Sequence, residues 1–407
     1  MFISVGSIVA VYYAAPPPQS VDKCPGVPQP GSGQPFRAIP VLTMEYCAYS
    51  LGVPLPSLIE SRQLSANRPA VHPPIAKLPL VTLYVTERCN SRCVTCDYWR
   101  HGRDDMDLEA VTNLLPSLAR LSTQMVLLSG GEPLLNPDWE AIAQTLRSNG
   151  LKVWLLTSGL ALAKHARRAA TLFDAITVSL DGTDAETYAA IRGLDAFDKV
   201  CEGVRAAAAH GARPGIRVTV QRANYRQLPA FVDLSRELGA RQVSYLAVDV
   251  ANPHAFGRTD DFVSDLALRP EDLPQLEQIL DSMEQGYRED FRSGFIAESP
   301  QKLRRILQYF SAIRGLGPYP PVRCNAPEFS AVIGATGRVQ PCFFISGPPE
   351  SQIQADFQSA LNSRGMMALR EDIRAGARAE CKTCVCSMWR DVDVVCASSH
   401  STIFAPA

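Results

Sequence analysis

Three cysteines just beyond an apolar run have the residue types and spacing of metal ligands. Cys89, Cys93 and Cys96 form a C-x3-C-x2-C pattern directly after the β-branched and aromatic run 81–85. Thiolates are the usual protein ligands of iron–sulfur clusters, and a loop after a strand can place three of them around one cluster. A fourth nearby thiolate is missing, so one iron would stay open to a substrate or cofactor. The alternatives are buried structural cysteines or a zinc knuckle, although no histidine lies close enough upstream to complete a zinc tetrahedron.

Alternating strand and helix patterns predict the framework that positions these cysteines. Segments of helical period lie between successive apolar runs, for example Leu108–Leu121, Trp139–Ser148 and Leu228–Leu238. Such alternation predicts a parallel sheet with its active site at the carboxyl ends of the strands. We predict six strands, within residues 81–85, 124–129, 152–159, 175–182, 215–221 and 242–248.

Polar residues and glycines follow three of these predicted strands. Gly130-Gly131-Glu132-Pro133 follows the second strand, and Thr157 ends the third. Two glycines let the backbone approach a ligand closely, and a glutamate suits an ammonium group. On the fourth strand Ser179 and Asp181 point the same way, so both could face a ribose or a carboxylate. The alternative for Asp181 is a simple turn former before Gly182.

These segments together resemble the radical S-adenosylmethionine (SAM) superfamily. The resemblance implies an α/β fold with a partial (β/α)6 TIM-type barrel. It also implies a [4Fe–4S] cluster that is bound by Cys89, Cys93 and Cys96 and chelated by SAM. One departure is Thr95, where the family usually has an aromatic residue against the adenine; Tyr98 or Trp99 could substitute. The residues expected to bind the cofactor are Gly130, Gly131, Glu132, Pro133, Thr157, Ser179, Asp181, Arg217 and Leu246.

A second group of cysteines lies near the C-terminus. Cys324 is followed by twelve residues, Gly337, four residues and Cys342, and then by Cys381-Lys382-Thr383-Cys384-Val385-Cys386. The segment from Phe329 to Pro341 predicts a β-hairpin that turns at Ala335-Thr336-Gly337. A later C-x2-C pair can then close a four-thiolate site.

This spacing resembles the opening of the SPASM and twitch extensions of radical SAM enzymes, which carry auxiliary [4Fe–4S] clusters. The full SPASM pattern fails here, because Arg390 stands where a further cysteine is expected. One auxiliary cluster on Cys324, Cys342, Cys381 and Cys384 is the better fit. Cys386 could replace one of the last two, Cys386 with Cys396 could support a second, irregular site, and a structural zinc is the alternative.

Composition supports a division of the 407 residues into four parts. Residues 1–78 form a Pro-rich, largely irregular extension, with short helices expected near 42–51 and 56–63. Residues 79–265 form the barrel, residues 266–322 a helical linker over its mouth, and residues 323–407 a small α+β auxiliary-cluster domain. Helices are expected at 273–287 and 301–314, and the candidates to line the substrate pocket are Tyr245, Asp249, His254 and Arg323.

The near-neutral charge, 40 basic against 41 acidic residues, gives no nucleic-acid footprint. The apolar stretch 2–13 is too short to span a membrane. The cysteines cluster by metal-ligand spacing rather than as a disulfide framework, so we expect a cytoplasmic protein. The N-terminal extension lacks the strand-rich winged-helix pattern that would indicate a leader-peptide-binding domain.

The resemblance implies that SAM is cleaved reductively to a 5′-deoxyadenosyl radical, which removes hydrogen from an organic substrate. Our first expectation is oxidation or rearrangement of a small metabolite in natural-product or cofactor biosynthesis. The alternative is a maturase that crosslinks a ribosomal peptide, forms thioethers in it or epimerises its residues. The stretch 179–193 favours this alternative. A third interpretation is a non-catalytic electron carrier or redox sensor. The expected partner is a reducing electron donor such as a flavodoxin or ferredoxin.

Overall fold

Six parallel strands in chain order form most of one sheet. The computed structural model describes residues 73–252, 255–258 and 264–390. The sheet order is β6-β5-β4-β3-β2-β1, followed by two C-terminal strands, and β1 to β6 pair in parallel throughout. All six predicted strands are confirmed, and in the described residues the sheet is an open, partial barrel. The strands are β1 (Leu80–Thr86), β2 (Met125–Gly130), β3 (Lys152–Thr157), β4 (Ala175–Ser179), β5 (Gly215–Val220) and β6 (Gln242–Ala247).

Helices connect the strands, as their 3.6-residue apolar period predicts. The first seven are α1 (Tyr98–His101), α2 (Leu108–Arg120), α3 (Trp139–Ser148), α4 (Leu162–Leu172), α5 (Ala185–Arg192), α6 (Phe197–Ala209) and α7 (Leu228–Glu237). The rest are α8 (Leu273–Gly286), α9 (Arg288–Ser293), α10 (Pro300–Ile313), α11 (Ala326–Phe329), α12 (Phe357–Leu361), α13 (Arg364–Arg374) and α14 (Ala379–Lys382). The five helices expected from residue 108 onward are confirmed to within two residues at each end.

Both faces of the sheet are buried, by different partners. Side chains such as Leu83 and Val126 pack with the surrounding helices in one apolar cluster. Alternate side chains of the same strands, including Tyr84, Trp154 and Leu156, belong to a second cluster that lines the barrel interior. Because both faces are covered, the strands are almost continuously apolar instead of alternating.

The C-terminal hairpin joins the main sheet. Strands β7 (Ser330–Ile333) and β8 (Val339–Gln340) are antiparallel, and Gly337 takes a left-handed φ of 84° in the turn between them. This confirms the predicted hairpin. β7 also pairs in parallel with β1, from Leu80 beside Ser330 to Leu83 beside Ile333, which the sequence did not predict. The auxiliary segment is therefore anchored to the strand that leads into the first cysteine group.

The helices expected near 42–51 and 56–63 lie outside the described residues, as do His254 and Cys396. The four-part division of the chain stays a prediction. Within residues 73–252, 255–258 and 264–390, no helix combines the length and the apolar character needed to cross a bilayer.

Helix α5 provides a test of local stability, because its N-cap is a single carboxylate. Asp184 accepts a 2.7 Å hydrogen bond from the Thr187 backbone N–H, and this bond lowers the pKa of the carboxyl. Asp184→Ala should cost about 1 kcal/mol in the free energy of unfolding, and Asp184→Asn should cost much less. Since the folded pKa lies below the unfolded value, the difference between wild type and Asp184→Ala should be full above about pH 4 and shrink as the pH falls. Urea titrations at several pH values measure it; equal losses in both variants would contradict the cap.

Candidate functional site

The first cysteine group lies on the loop that leaves β1. Cys93 and Cys96 are buried and Cys89 is half-buried. Burial raises the pKa of the Cys89 thiol to about 11 and also raises the pKa of Cys96, and in both cases the charge of Cys93 adds to the rise. Cys93 is therefore close enough to both Cys89 and Cys96 for its charge to act on them. The Ser91 backbone N–H donates to the Cys89 sulfur at 3.4 Å.

Two supports fix this loop from opposite sides. On one side, backbone carbonyls at the end of α5 accept hydrogen bonds from the cysteine loop. The Arg92 N–H donates to the Arg192 carbonyl at 3.0 Å, and the Val94 N–H donates to the Ile191 carbonyl at 3.0 Å. On the other side, Gly131 N–H donates to the Thr86 carbonyl at 2.7 Å and Glu132 N–H donates to the Arg88 carbonyl at 2.8 Å.

Glycine is required at 130 and 131 because the backbone there lies so close to the backbone of Thr86 and Arg88. A Cβ on Gly131 would lie 2.1 Å from the Arg88 carbonyl oxygen, and one on Gly130 would lie 2.2 Å from the Thr86 carbonyl oxygen. Gly130 also takes a φ of 124°. The sequence predicted that these glycines admit a ligand. Their closest neighbour in the structure is the cysteine loop itself.

Glu132 is buried and its carboxylate is held at four points. It accepts from the Thr157 hydroxyl at 2.8 Å, the Ser158 hydroxyl and N–H at 2.6 Å each, and the Leu134 N–H at 3.1 Å. The Ser158 hydroxyl also lies 3.2 Å from the Asn90 side-chain oxygen on the cysteine loop. Thus Thr157, predicted as a site residue, orients Glu132, while Pro133 begins the buried turn Pro133–Leu135 behind it. A fixed negative charge beside the three thiols suits a cationic ligand group.

Asp181 and Ser179 differ in whether their side chains are already hydrogen-bonded within the protein. Asp181 accepts from the Thr219 N–H at 2.6 Å and from Arg192 Nη1 at 3.1 Å. The Asp181 and Arg192 side chains form a buried ion pair, and each is 3% exposed. The Ser179 hydroxyl is buried and finds no partner among the described residues. Ser179 is therefore the member of this predicted pair with hydrogen-bonding capacity left for a ligand.

Arg192 is a site residue that the sequence analysis did not single out. Its Nε and Nη2 atoms are buried and have no hydrogen-bond partner in the described part of the chain. Burial lowers the pKa of this guanidinium, but the nearby Cys93 and Asp181 charges outweigh it and hold the pKa above its usual value. Arg192 thus places uncommitted cationic donors beside the thiols. Its only sequence signal was a position in the stretch after Asp181.

The second cysteine group surrounds a separate cavity. Its walls are mostly apolar and include Phe343, Phe344 and Met388. Burial raises the pKa of Cys342 to about 12 and of Cys381 to about 11, with neighbouring thiols adding to each rise. The structure brings all five predicted thiols to this cavity: Cys324, Cys342, Cys381, Cys384 and Cys386.

Neither group is spaced for a single ion. Among the described residues, no three His, Cys, Asp or Glu side chains are arranged to hold one metal ion. The donor chemistry fits iron–sulfur clusters, since thiols are the usual cluster ligands. Three thiols share the β1 loop, with uncommitted donors of Arg192 at hand, and five more share the apolar cavity.

The remaining predicted site residues lie on β5 and β6. Arg217 is 1% exposed and its Nη1 lies 3.9 Å from Glu298 Oε1. Leu246 lines a further cavity together with Tyr245, Lys302, Cys384 and Cys386.

The other pocket candidates and the adenine candidate Tyr98 make contacts within the protein, whereas the buried atoms Asp249 Oδ2 and Trp99 Nε1 have no hydrogen-bond partner among the described residues. The Tyr245 hydroxyl donates to the Leu228 carbonyl at 2.8 Å, and Arg323 lies 3.7 Å over the Trp389 ring. Asp249 accepts from the Ala251 N–H at 3.0 Å. Tyr98 packs edge-on against Tyr84, with ring centroids 6.1 Å apart.

Comparison with known proteins identifies the domain that carries the first site. Residues 83–234 match the model of the radical SAM superfamily. This segment is a radical SAM domain. The matched segment runs from β1 through most of α7, so it contains Cys89, Cys93, Cys96 and the Gly130–Pro133 turn. The resemblance inferred from the motifs is confirmed.

Similarity to individual proteins extends over different parts of this chain. Mycofactocin maturase MftC of Mycobacterium tuberculosis is 28% identical over 340 residues, 81% of this chain and 79% of the maturase. Fe-coproporphyrin III synthase of Methanosarcina barkeri is 31% identical over 171 residues, 40% of this chain and 42% of that enzyme. The structure of Streptococcus suis SuiB bound to S-adenosylmethionine has a TM-score of 0.57 at 15% identity, covering 88% of this chain and 85% of SuiB. The SuiB likeness confirms the fold.

The contact between Gly131 and Arg88 generates a prediction for the first site. Gly131→Ala should displace the cysteine loop, because its Cβ would meet backbone rather than a movable side chain. We expect loss of at least half of the iron bound after anaerobic reconstitution, measured per chain. Gly286→Ala is the matched control, since its Cβ meets nothing within 4 Å. Full iron loading of Gly131→Ala would show that the loop tolerates the displacement.

Proposed function

We propose that this protein cleaves SAM reductively at a [4Fe–4S] cluster held by Cys89, Cys93 and Cys96, and that it oxidises or rearranges an organic substrate. The observation that carries the proposal is the assembly at the carboxyl end of β1, where the loop that bears the three cysteines is bonded to Glu132, whose carboxylate is held by Thr157 and Ser158. When bound, the cluster and SAM supply the radical that removes hydrogen from the substrate. The protein supplies the orientation of these groups and the exclusion of water.

The surrounding residues have complementary tasks in this proposal. Glu132 places a fixed negative charge toward the ammonium group of SAM, and Thr157 and Ser158 hold that carboxylate in place. Arg192 offers its two uncommitted nitrogen atoms to a carboxylate. The Ser179 hydroxyl offers a hydrogen bond to a ribose. Asp181 acts through Arg192, which it orients by the 3.1 Å ion pair.

We further propose one auxiliary [4Fe–4S] cluster in the C-terminal cavity, with Cys324, Cys342, Cys381 and Cys384 as its ligands and Cys386 as the alternative to one of the last two. Such a cluster would accept an electron from the substrate or shape the substrate site. Reduction of the first cluster requires an electron donor such as a flavodoxin or ferredoxin, and we propose a cytoplasmic setting.

A peptide is the substrate class that we propose. The support comes from mycofactocin maturase, whose match extends over 81% of this chain and thus beyond the radical SAM segment. The sequence alone led us to expect a small metabolite instead. That second candidate is supported by Fe-coproporphyrin III synthase, which matches over 40% of the chain.

Cysteine variants test the assignment of the two groups. Cys89→Ala should abolish release of 5′-deoxyadenosine from SAM, because the first cluster loses one of three ligands. Cys342→Ala should retain this release, lose about half of the iron and impair substrate turnover. Cys201→Ala is the control, since Cys201 is buried away from both groups. Loss of release in Cys342→Ala as well would indicate that the C-terminal group is required for folding.

The substrate class is tested by stimulation of the same reaction. Reduced, anaerobically reconstituted protein is given SAM with peptide-sized or metabolite-sized fractions of the source cell's extract. We expect the peptide fraction to increase the release of 5′-deoxyadenosine. Stimulation by the small fraction alone would support metabolite chemistry, and no release with a full iron load would favour the electron-carrier interpretation.

A further inference from the structure

A buried pair of opposite charges, Arg217 and Glu298, lies in the barrel interior. Arg217 lies on β5, in register with Ser179 on β4. The register continues to Leu156 by way of Thr177, so Arg217 points to the same face as the interior apolar cluster. Glu298 lies just before α10, and both residues are 1% exposed.

The two side chains face each other without bonding. Arg217 Nη1 and Glu298 Oε1 are 3.9 Å apart, which is beyond hydrogen-bond distance. Both atoms, and Arg217 Nε, are buried and lack a hydrogen-bond partner in the described part of the chain. Glu298 Oε2 is satisfied, since it accepts from the Tyr245 N–H at 2.8 Å. An unsatisfied buried charged group is costly, so this gap between a donor and an acceptor calls for a ligand.

Backbone pairing keeps this gap open. Arg217 is fixed within the sheet, and the segment before Glu298 is bonded along the free edge of β6. Val243 N–H donates to the Phe295 carbonyl at 2.7 Å, and Ala297 N–H donates to the Val243 carbonyl at 2.9 Å. Because both backbones are held, closing the gap would require the side chains to move against a packed interior.

A cavity lies near the pair and is lined by neighbours of Glu298. Its lining includes Tyr245, Lys302 and Cys386. The Tyr245 backbone bonds to Glu298, and Lys302 Nζ lies 3.9 Å from Glu298 Oε1. Cys386 is close enough for its charge to act on Arg217. Cys384 and Cys386 also line the auxiliary cavity, so a group bound by the pair would lie near the thiols of the auxiliary site.

The charges of the pair define the ligand. A positive donor and a negative acceptor side by side cancel, so a neutral ligand adds no net charge to the interior. It must offer an acceptor to Arg217 and a donor to Glu298 on neighbouring atoms. An amide group has this arrangement, with its C=O and N–H a few ångströms apart. We propose that Arg217 and Glu298 bind an amide group of the substrate; this inference rests on the peptide-modifying function proposed above.

Crystals of the iron-loaded protein test this with the smallest peptide unit. They are soaked over a concentration series of N-methylacetamide, and the refined occupancy gives an apparent Kd. We expect the amide oxygen at Arg217 and the N–H at Glu298 Oε1. Methyl acetate, which has the same shape without the N–H, should bind at least tenfold more weakly. Equal binding of the ester, or tighter binding of free alanine as a zwitterion, would overturn the amide assignment.

Variants separate recognition from folding and from cofactor binding. Single substitutions leave an uncompensated buried charge, so the main variant is the double substitution Arg217→Met and Glu298→Met, which removes both charges at similar volume. Its apparent Kd for N-methylacetamide should rise at least tenfold, while the control Lys199→Gln, on the exposed face of α6, should bind as wild type does. Iron per chain and SAM affinity are measured in the same preparations.

Two outcomes with the double variant would overturn the inference. An unchanged Kd would make the pair purely structural, and an equally large loss of SAM affinity would assign it to the cofactor. Failure of the proposed function is visible separately, because it would leave wild-type protein unable to release 5′-deoxyadenosine whatever the amide result.

Discussion

Backbone packed directly on backbone, around Gly131, is the constraint on which the first site depends. The chain after β2 must approach the chain after β1 so closely that no Cβ fits between them. That contact fixes the cysteine loop and the carboxylate of Glu132 relative to each other. A cluster site needs its ligands held with little freedom, and a surface loop of this length would otherwise be mobile. The α5 end, bonded to the same loop from the other side, removes the remaining freedom.

The interior of the partial barrel is filled largely by the C-terminal segment. Phe343, Phe344 and Met388 pack in one apolar cluster with Tyr84, Trp154 and Leu156 of the strands. β7 extends the sheet beside β1. An open sheet would leave apolar side chains exposed to water, so this packing stabilises the barrel and the auxiliary segment together. It also explains how thiols from a distant part of the sequence come to line the interior.

Two buried ion pairs in this interior differ in a way that separates their roles. Asp181 and Arg192 are bonded at 3.1 Å, and the pair positions donors beside the first thiol group. Arg217 and Glu298 remain 3.9 Å apart with unsatisfied atoms. In the closed pair Asp181 orients Arg192, whose Nε and Nη2 lack a hydrogen-bond partner among the described residues, while in the open pair both the cation and the carboxylate have such atoms. Burial makes this difference matter, since an unpaired charge in a low-dielectric interior is costly.

The sequence alone determined the order of strands and helices and the residue types of both cysteine groups. Apolar periodicity fixes each element locally, and the polar residues and glycines lie at ends that a parallel sheet must gather on one edge. Tertiary structure alone decided that Gly130 and Gly131 contact the cysteine loop, that Arg192 turns toward the thiols, and that β7 joins β1. It also decided that Glu298, 81 positions after Arg217, lies opposite that residue. These contacts join residues that are far apart in the chain, and local sequence patterns do not specify which distant residues pack together.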